Sequence, residues 1–319
     1  MTKIFEALRK APGNMSDILP ELLEQEPGET PLKGTGPGAE PMTQEARDEA
    51  MVQAMLGEPE DARPVTPGSK SKTLADPWKN GIRELPVRVA AASPLLPFDD
   101  TNRVAAEQYR IIRTRLIQHP KQPRLVLISS GGPGDGKSVT SVNIAGALSL
   151  KTEANVLLMD ADFRRPTIHR QLGLPASPGL AEVLAGTANL EDALIRAAQF
   201  PNLCVIPAGA PCANPSELLD SARWRALCDE LRIRFRYMIA DSPPVASVAD
   251  YELLQATCDG VVLVVRPDHT KRNLCQKALQ TIPKEKLIGV VVNCVPKWLL
   301  AGASPYSGYY YGVFGAYEN

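Results

Sequence analysis

From residue 125 onward the chain alternates short apolar, β-branched runs with longer stretches in helical period. The runs are Leu125 to Ser129, Val156 to Asp160, Leu203 to Pro207, Tyr237 to Asp241, Gly260 to Val265 and Leu287 to Asn293. Helical spacing covers Asn102 to Gln118, Lys137 to Leu150, Gly179 to Leu184, Pro215 to Arg232 and Thr270 to Thr281. Strands that are apolar throughout are buried on both faces, and a helix after each strand provides the cover. The pattern predicts an α/β fold over residues 98–297, with a mainly parallel central sheet and helices on both faces.

The first hundred residues read differently. Residues 2 to about 11 place Ile4, Phe5 and Leu8 on one face of a short helix, with Lys3, Glu6, Arg9 and Lys10 around it. So short a helix is marginal alone, and it reads either as a docking element or as a frayed end. After this N-terminal region (1–27), residues 28–97 are rich in Pro, Gly, Ala, Glu and Lys, which predicts a disordered linker with one helical stretch at Gln44 to Leu56.

Charge sharpens this division. The 319 residues carry 35 Lys plus Arg and 36 Asp plus Glu, a formal net charge of -1. Residues 1–100 account for -6 and the remainder for +5. Neither half has the concentrated positive field of a nucleic-acid coat, so no nucleic-acid partner is expected. No apolar run reaches the roughly 18 to 20 residues of a membrane span, and Met1 to Lys10 offers no signal-peptide core. These readings predict a cytoplasmic protein. The six cysteines form no C-x-x-C pair and read as reduced, buried hydrophobes, and the three histidines are isolated along the chain.

The strongest motif is Gly131-Gly-Pro-Gly-Asp-Gly-Lys-Ser138, a G-x-x-x-x-G-K-[ST] loop set between a strand and a helix. Glycines let successive backbone N–H groups face one anion-sized hollow, and the helix N-terminus adds partial positive charge. Gly132, Pro133, Gly134, Asp135, Gly136, Lys137, Ser138 and Val139 are therefore the expected nucleotide-binding residues, with Lys137 reaching the β- and γ-phosphates and Ser138 holding Mg²⁺. Position 132 lacks the additional lysine found in P-loop proteins of cell division and partition. Two acidic strand ends follow, Asp160-Ala-Asp162-Phe-Arg-Arg and Asp241-Ser-Pro-Pro244. Carboxylates beyond strand ends face the crevice where open parallel sheets bind ligands. Asp162 and Asp241 join Ser138 as expected metal ligands, and Lys137, Asp160 and Asp162 are the catalytic candidates. The division of roles between Asp160 and Asp162 is left open.

Taken together, the P-G-D-G-K-S loop, L-M-D-A-D-F-R-R-P with His169 behind it, D-S-P-P, Val205-Ile-Pro-Ala-Gly209, Asn214-Pro-Ser-Glu-Leu-Leu219 and a C-terminal tyrosine cluster resemble the cytoplasmic domain of bacterial tyrosine kinases (BY-kinases), the P-loop autokinases of capsule and exopolysaccharide synthesis. The resemblance covers about two-thirds of the chain, from about residue 100 to the C-terminus. It implies a P-loop NTPase of the deviant-Walker (MinD/ParA-like) type, with ATP and Mg²⁺ as cofactors. It also implies that Glu107, Arg110 and Arg113, one E-x-x-R-x-x-R stripe on a helix, join subunits in a homo-oligomeric ring such as an octamer. Asn293 resembles the residue that reads the adenine edge. Expected partners are a separate transmembrane polysaccharide co-polymerase adaptor, which would recruit the chain to the inner face of the cytoplasmic membrane, and a cognate tyrosine phosphatase.

An ATPase and a tyrosine kinase share all of these site residues, so the C-terminal segment separates them. Tyr306, Tyr309, Tyr310, Tyr311 and Tyr317 lie among Ser, Gly, Ala and Pro in a tail (298–319) whose one charged side chain is Glu318. As a phosphate acceptor the tail has small neighbours around each phenol, and fully extended it reaches about 80 Å from Pro296. The reading is a protein-tyrosine autokinase acting on this cluster in trans. The alternative is a nucleotide-dependent scaffold or positioning ATPase without kinase activity.

Overall fold

A computed structural model describes residues 81–89, 103–150, 155–245, 249–267 and 269–295. All of these belong to one compact unit, residues 1–25 and 77–319; the other unit, residues 26–76, lies outside them. The expected N-terminal helix and tyrosine-rich tail, and most of the expected linker, also fall outside.

The sheet has eight strands: β1 (Arg83–Leu85), β2 (Leu125–Ser130), β3 (Val156–Asp160), β4 (Ile195–Ala197), β5 (Phe200–Ile206), β6 (Tyr237–Asp241), β7 (Gly260–Val265) and β8 (Leu287–Val292), in the order β1-β4-β5-β3-β6-β2-β7-β8. Every pairing is parallel except β4 with β5. The central strands β2, β3, β6 and β7 are buried at every position. Their side chains alternate between two cores. Leu125, Leu127, Leu157, Met159 and Met238 enter one, while Val126, Ile128, Val156, Leu158 and Ile239 enter the other. Period-two alternation in an all-apolar strand thus feeds two cores, one on each face of the sheet.

Helices α1 (Arg103–Ile117) and α2 (Lys137–Ser149) contribute Tyr109, Leu116, Ile144 and Leu148 to the second core. Helix α2 is buried nearly all round, which explains its lack of a polar face. After the short α3 (Ile168–Gln171), the helices α4 (Leu180–Ala185), α5 (Leu190–Ala193), α6 (Pro215–Asp220), α7 (Ala222–Arg234), α8 (Ala249–Thr257) and α9 (Arg272–Thr281) follow among the described residues. Leu180, Trp224, Leu231, Tyr251 and Ala278 from this group fill the first core.

Four details differ from the sequence reading. The expected linker reaches into the domain: Arg83–Leu85 pairs with β4, Ile82 and Val87 are buried, and the Val87 N–H donates to Gln199 Oε1. Three residues with one apolar side chain carry too little pattern to mark a strand. The single helix expected over 215–232 is two, because Ser221 breaks it and accepts a hydrogen bond from the Trp224 N–H as the N-cap of α7. Helix α8 lies between β6 and β7 with only nine residues and no long period. Strand β4 forms a tight antiparallel hairpin with β5 and is too short to read.

Candidate functional site

The sheet order brings three loops to one edge. Strand β6 sits between β3 and β2, with Asp241 in register with Asp160 on one side and Ile128 on the other. The loop after β2 therefore opens beside both acidic strand ends. Within it Gly134 and Gly136 have φ of 86° and 91°, left-handed conformations that favour glycine, and Gly136 hands the chain directly into α2. Pro133 and Gly134 are exposed at the crown, whereas Ser138 is buried and Val139 packs partly into the second core.

Lys137, Ser138, Asp162 and Asp241 converge at this edge. Lys137 Nζ lies 2.8 Å from Asp162 Oδ2, 3.4 Å from Asp241 Oδ2 and 3.2 Å from Ser138 Oγ. Ser138 Oγ donates to Asp241 Oδ2 at 2.5 Å, and Ser141 Oγ lies 3.2 Å from Asp241 Oδ1. Burial works against a charged Lys137, but Asp241 and Asp162 outweigh it and hold its pKa above the ordinary lysine value. Asp241 is fully buried, and desolvation pushes its carboxyl up despite Lys137 and the two serine hydroxyls.

Asp160 stands one layer deeper. Its Oδ2 accepts the N–H groups of Thr167 and Ile168, each at 3.0 Å, and its Oδ1 accepts the Asp162 N–H at 3.3 Å. These bonds fold the 161–168 loop back over the strand end. Burial, with the like charge of Asp241 adding to it, raises the Asp160 pKa to about 7.

The remaining expected residues divide. Asp135 turns its carboxylate into the loop, where Oδ2 accepts the Gly132 N–H at 2.8 Å; the side chain does not face the phosphate hollow. Asn293 donates from Nδ2 to the Asp135 carbonyl at 3.0 Å, so its amide braces the loop. On α1, Glu107 and Arg110 pair at 2.8 Å within the same helix, while Arg113 reaches the Ala147 carbonyl at the C-terminal end of α2 at 3.3 Å. The expected single stripe is thus split between a surface pair and an inter-helix contact. All five tail tyrosines lie outside the described residues.

Sequence reasoning missed two groups. Arg164 forms a two-pronged pair with buried Asp250 on α8, from Nε at 2.7 Å and Nη2 at 3.1 Å, and Ser216 Oγ donates to the same carboxylate at 2.6 Å. His269 and Thr270 both engage Asp135. The first Arg of D-F-R-R is a visible hint of charge near the site, but a partner 86 positions away leaves no local trace.

No protein-family model matches the chain. Against curated proteins, it is 36% identical over 192 residues to the tyrosine-protein kinase YwqD of Bacillus subtilis, covering 59% of this chain and 80% of that one. The chain belongs to the bacterial tyrosine-protein kinases. The tyrosine-protein kinase CpsD of Streptococcus agalactiae is 32% identical over 59% of this chain and 83% of its own. Among solved structures, the chimerical protein CapA2B2 superposes with a TM-score of 0.61 at 30% identity, over 66% of this chain and 94% of that one. The kinase domain of the Escherichia coli tyrosine kinase ETK does so with 0.59 at 25% identity, over 67% and 90%. The mainly parallel sheet with its flanking helices is the fold that this chain shares with these kinase domains, over about two-thirds of its length.

Proposed function

We propose that the chain is an ATP-dependent protein-tyrosine autokinase that transfers the γ-phosphoryl group of MgATP to the tyrosine cluster Tyr306, Tyr309, Tyr310, Tyr311 and Tyr317 of a neighbouring copy. The observation that carries this reading is the convergence of Lys137, Ser138, Asp162 and Asp241 at the sheet edge beside the P-loop.

The oxygen-only donor set Ser138, Asp162 and Asp241 suits Mg²⁺. Such an ion would keep several of its waters and take its remaining ligands from the substrate phosphates. When bound, Mg²⁺ neutralises charge on the phosphoryl oxygens. Lys137 supplies fixed positive charge from a largely buried position, where it needs little reorganisation, and the backbone amides of 132–138 bind the phosphates. As the bond from phosphorus to the ADP oxygen breaks and the bond to the phenol oxygen forms, the phenolic proton passes to Asp160. Its pKa of about 7 suits a base working at neutral pH. The accepting oxygen is Oδ1, because two N–H groups already occupy Oδ2. Asp162 orients Lys137 and the phenol. Asn293, at the end of β8, is placed to meet the adenine once its bond to the loop yields.

The family resemblance supports a role in regulating exopolysaccharide or capsule polymerisation and export. The acidic segment 28–97 and the helix in 1–27 then tether the kinase to a separate membrane co-polymerase. No helix among the described residues is long and apolar enough to cross a membrane. Ring assembly through Glu107, Arg110 and Arg113, and reversal by a tyrosine phosphatase, complete this reading. The test is complementation in trans: Lys137→Met protein with an intact tail, mixed with active protein truncated after residue 297, acquires phosphotyrosine on the Lys137→Met chain. No phosphotyrosine on the Lys137→Met chain in this mixture would contradict the trans mechanism.

A further inference from the structure

The loop after β7 is pressed against the P-loop. A Cβ on Gly131 would fall 2.9 Å from Thr270 Cγ2, and one on Gly134 would fall 3.1 Å from His269 Cε1. Both residues converge on Asp135, a P-loop carboxylate that is 1% exposed. Asp135 Oδ1 lies 3.0 Å from His269 Nδ1 and accepts the Thr270 hydroxyl at 2.7 Å, while Oδ2 takes the Gly132 N–H at 2.8 Å. Thr270 is itself fixed, since its Oγ1 accepts the Arg266 N–H at 2.7 Å and its own N–H reaches the Arg266 carbonyl at 2.9 Å.

The buried Asp135 carboxylate turns into the loop and occupies one of the loop's own amides, the Gly132 N–H. The G-x-x-x-x-G-K-[ST] pattern does not require an acid at this position. The carboxylate's other partners come from outside the loop, the Thr270 hydroxyl and the His269 imidazole.

We propose that His269 is a positioning residue for the nucleotide, acting through Asp135 to hold the P-loop in its phosphate-ready shape. The imidazole, 45% exposed, lies over the crown at Gly134 and anchors Asp135 Oδ1 from Nδ1. Without this anchor the buried carboxylate loses a partner, and the loop must reorganise to rehydrate it before phosphates can bind. The effect therefore falls on nucleotide affinity rather than on chemistry once nucleotide is bound. The inference rests on the P-loop as the site of MgATP.

The test is calorimetric titration of the full chain with MgADP, which avoids turnover, alongside kcat at saturating MgATP. His269→Ala weakens MgADP binding by about tenfold or more, the loss of one hydrogen bond to a carboxylate, with kcat within about twofold of wild type. His269→Asn, whose Nδ2–H stands in for Nδ1–H, restores affinity to within about twofold. In a cycle with Asp135→Asn, the His269→Ala effect shrinks, because its partner charge is gone. Equal affinities for wild type and His269→Ala would overturn this inference alone, as would His269→Asn binding as weakly as His269→Ala. Absence of MgADP binding to wild type would overturn the proposed function with it.

Discussion

Ser138 Oγ donates to Asp241 Oδ2 across 2.5 Å, tying the first turn of α2 to the end of β6. The bond unites the two halves of the site, the phosphate loop and the acidic strand end, in a single contact. Replacing Ser138 by Ala removes both this donor and the expected metal ligand. Autophosphorylation rate should fall by about 10²-fold or more, the scale of losing one electrostatic contact at the transition state. Ser138→Thr keeps the hydroxyl and should retain most activity, with Mg²⁺ titration of the rate as the check. Equal rates for wild type and Ser138→Ala would remove Ser138 from the site.

Asp160 makes the nucleotide-free protein sensitive to pH. Its pKa lies at about 7 in the folded chain, through burial first and Asp241 second, against the ordinary carboxylate range when unfolded. Between those values the folded state holds a proton that the unfolded state releases, so stability falls as pH rises from about 4 towards 7. Melting temperature measured in chelator should decline across that window in wild type. Asp160→Asn should flatten the decline while abolishing most phosphorylation, because its amide oxygen still accepts the Thr167 and Ile168 N–H groups. Parallel slopes for the two proteins would show that Asp160 is not the titrating group.

Gly136→Ala tests the turn into α2. At a φ of 91° the added Cβ costs about 1–2 kcal/mol, and it would lie 2.0 Å from Asn293 Nδ2. Nucleotide affinity should drop by tenfold or more. Asn293→Ala added to Gly136→Ala removes the clash and should recover part of the stability that Gly136→Ala loses, measured by melting of the nucleotide-free protein, in which no adenine contact enters. No recovery would mean that backbone strain, not Asn293, sets the cost.

Removing Arg164 leaves Asp250, a fully buried carboxylate, with Ser216 as its side-chain partner. Arg164→Ala should destabilise the domain by about 1–3 kcal/mol, discounted towards the lower end because Arg164 is nearly half exposed. Urea denaturation reads this directly, and an unchanged midpoint would show that the pair contributes nothing.

The sheet and the chemistry were legible in the sequence to very different depths. Strands β2, β3, β6 and β7 are written as unbroken apolar runs because both their faces are covered, and three of them end where a site residue or loop begins. The P-loop, Asp162 and Asp241 follow from spacing and strand ends alone. What the sequence hid depends on distance or brevity. Asp250 meets Arg164 across 86 positions, and His269 and Thr270 meet Asp135 across 134 and 135. Strands β1 and β4 have three residues each, too few for any period. On the E-x-x-R-x-x-R stripe, spacing places Glu107, Arg110 and Arg113 on one helix, and what it cannot show is the Arg113 bond to the Ala147 carbonyl on α2.

The proposed reaction carries phosphate from MgATP at this site to the tail tyrosines of a neighbouring copy. Purified chain incubated with MgATP and mapped for phosphotyrosine by mass spectrometry tests it most directly, with Lys137→Met as the control. Phosphotyrosine is expected within Tyr306, Tyr309, Tyr310, Tyr311 and Tyr317 of wild type and none in Lys137→Met alone. ATP hydrolysis by wild type without any phosphotyrosine would contradict it.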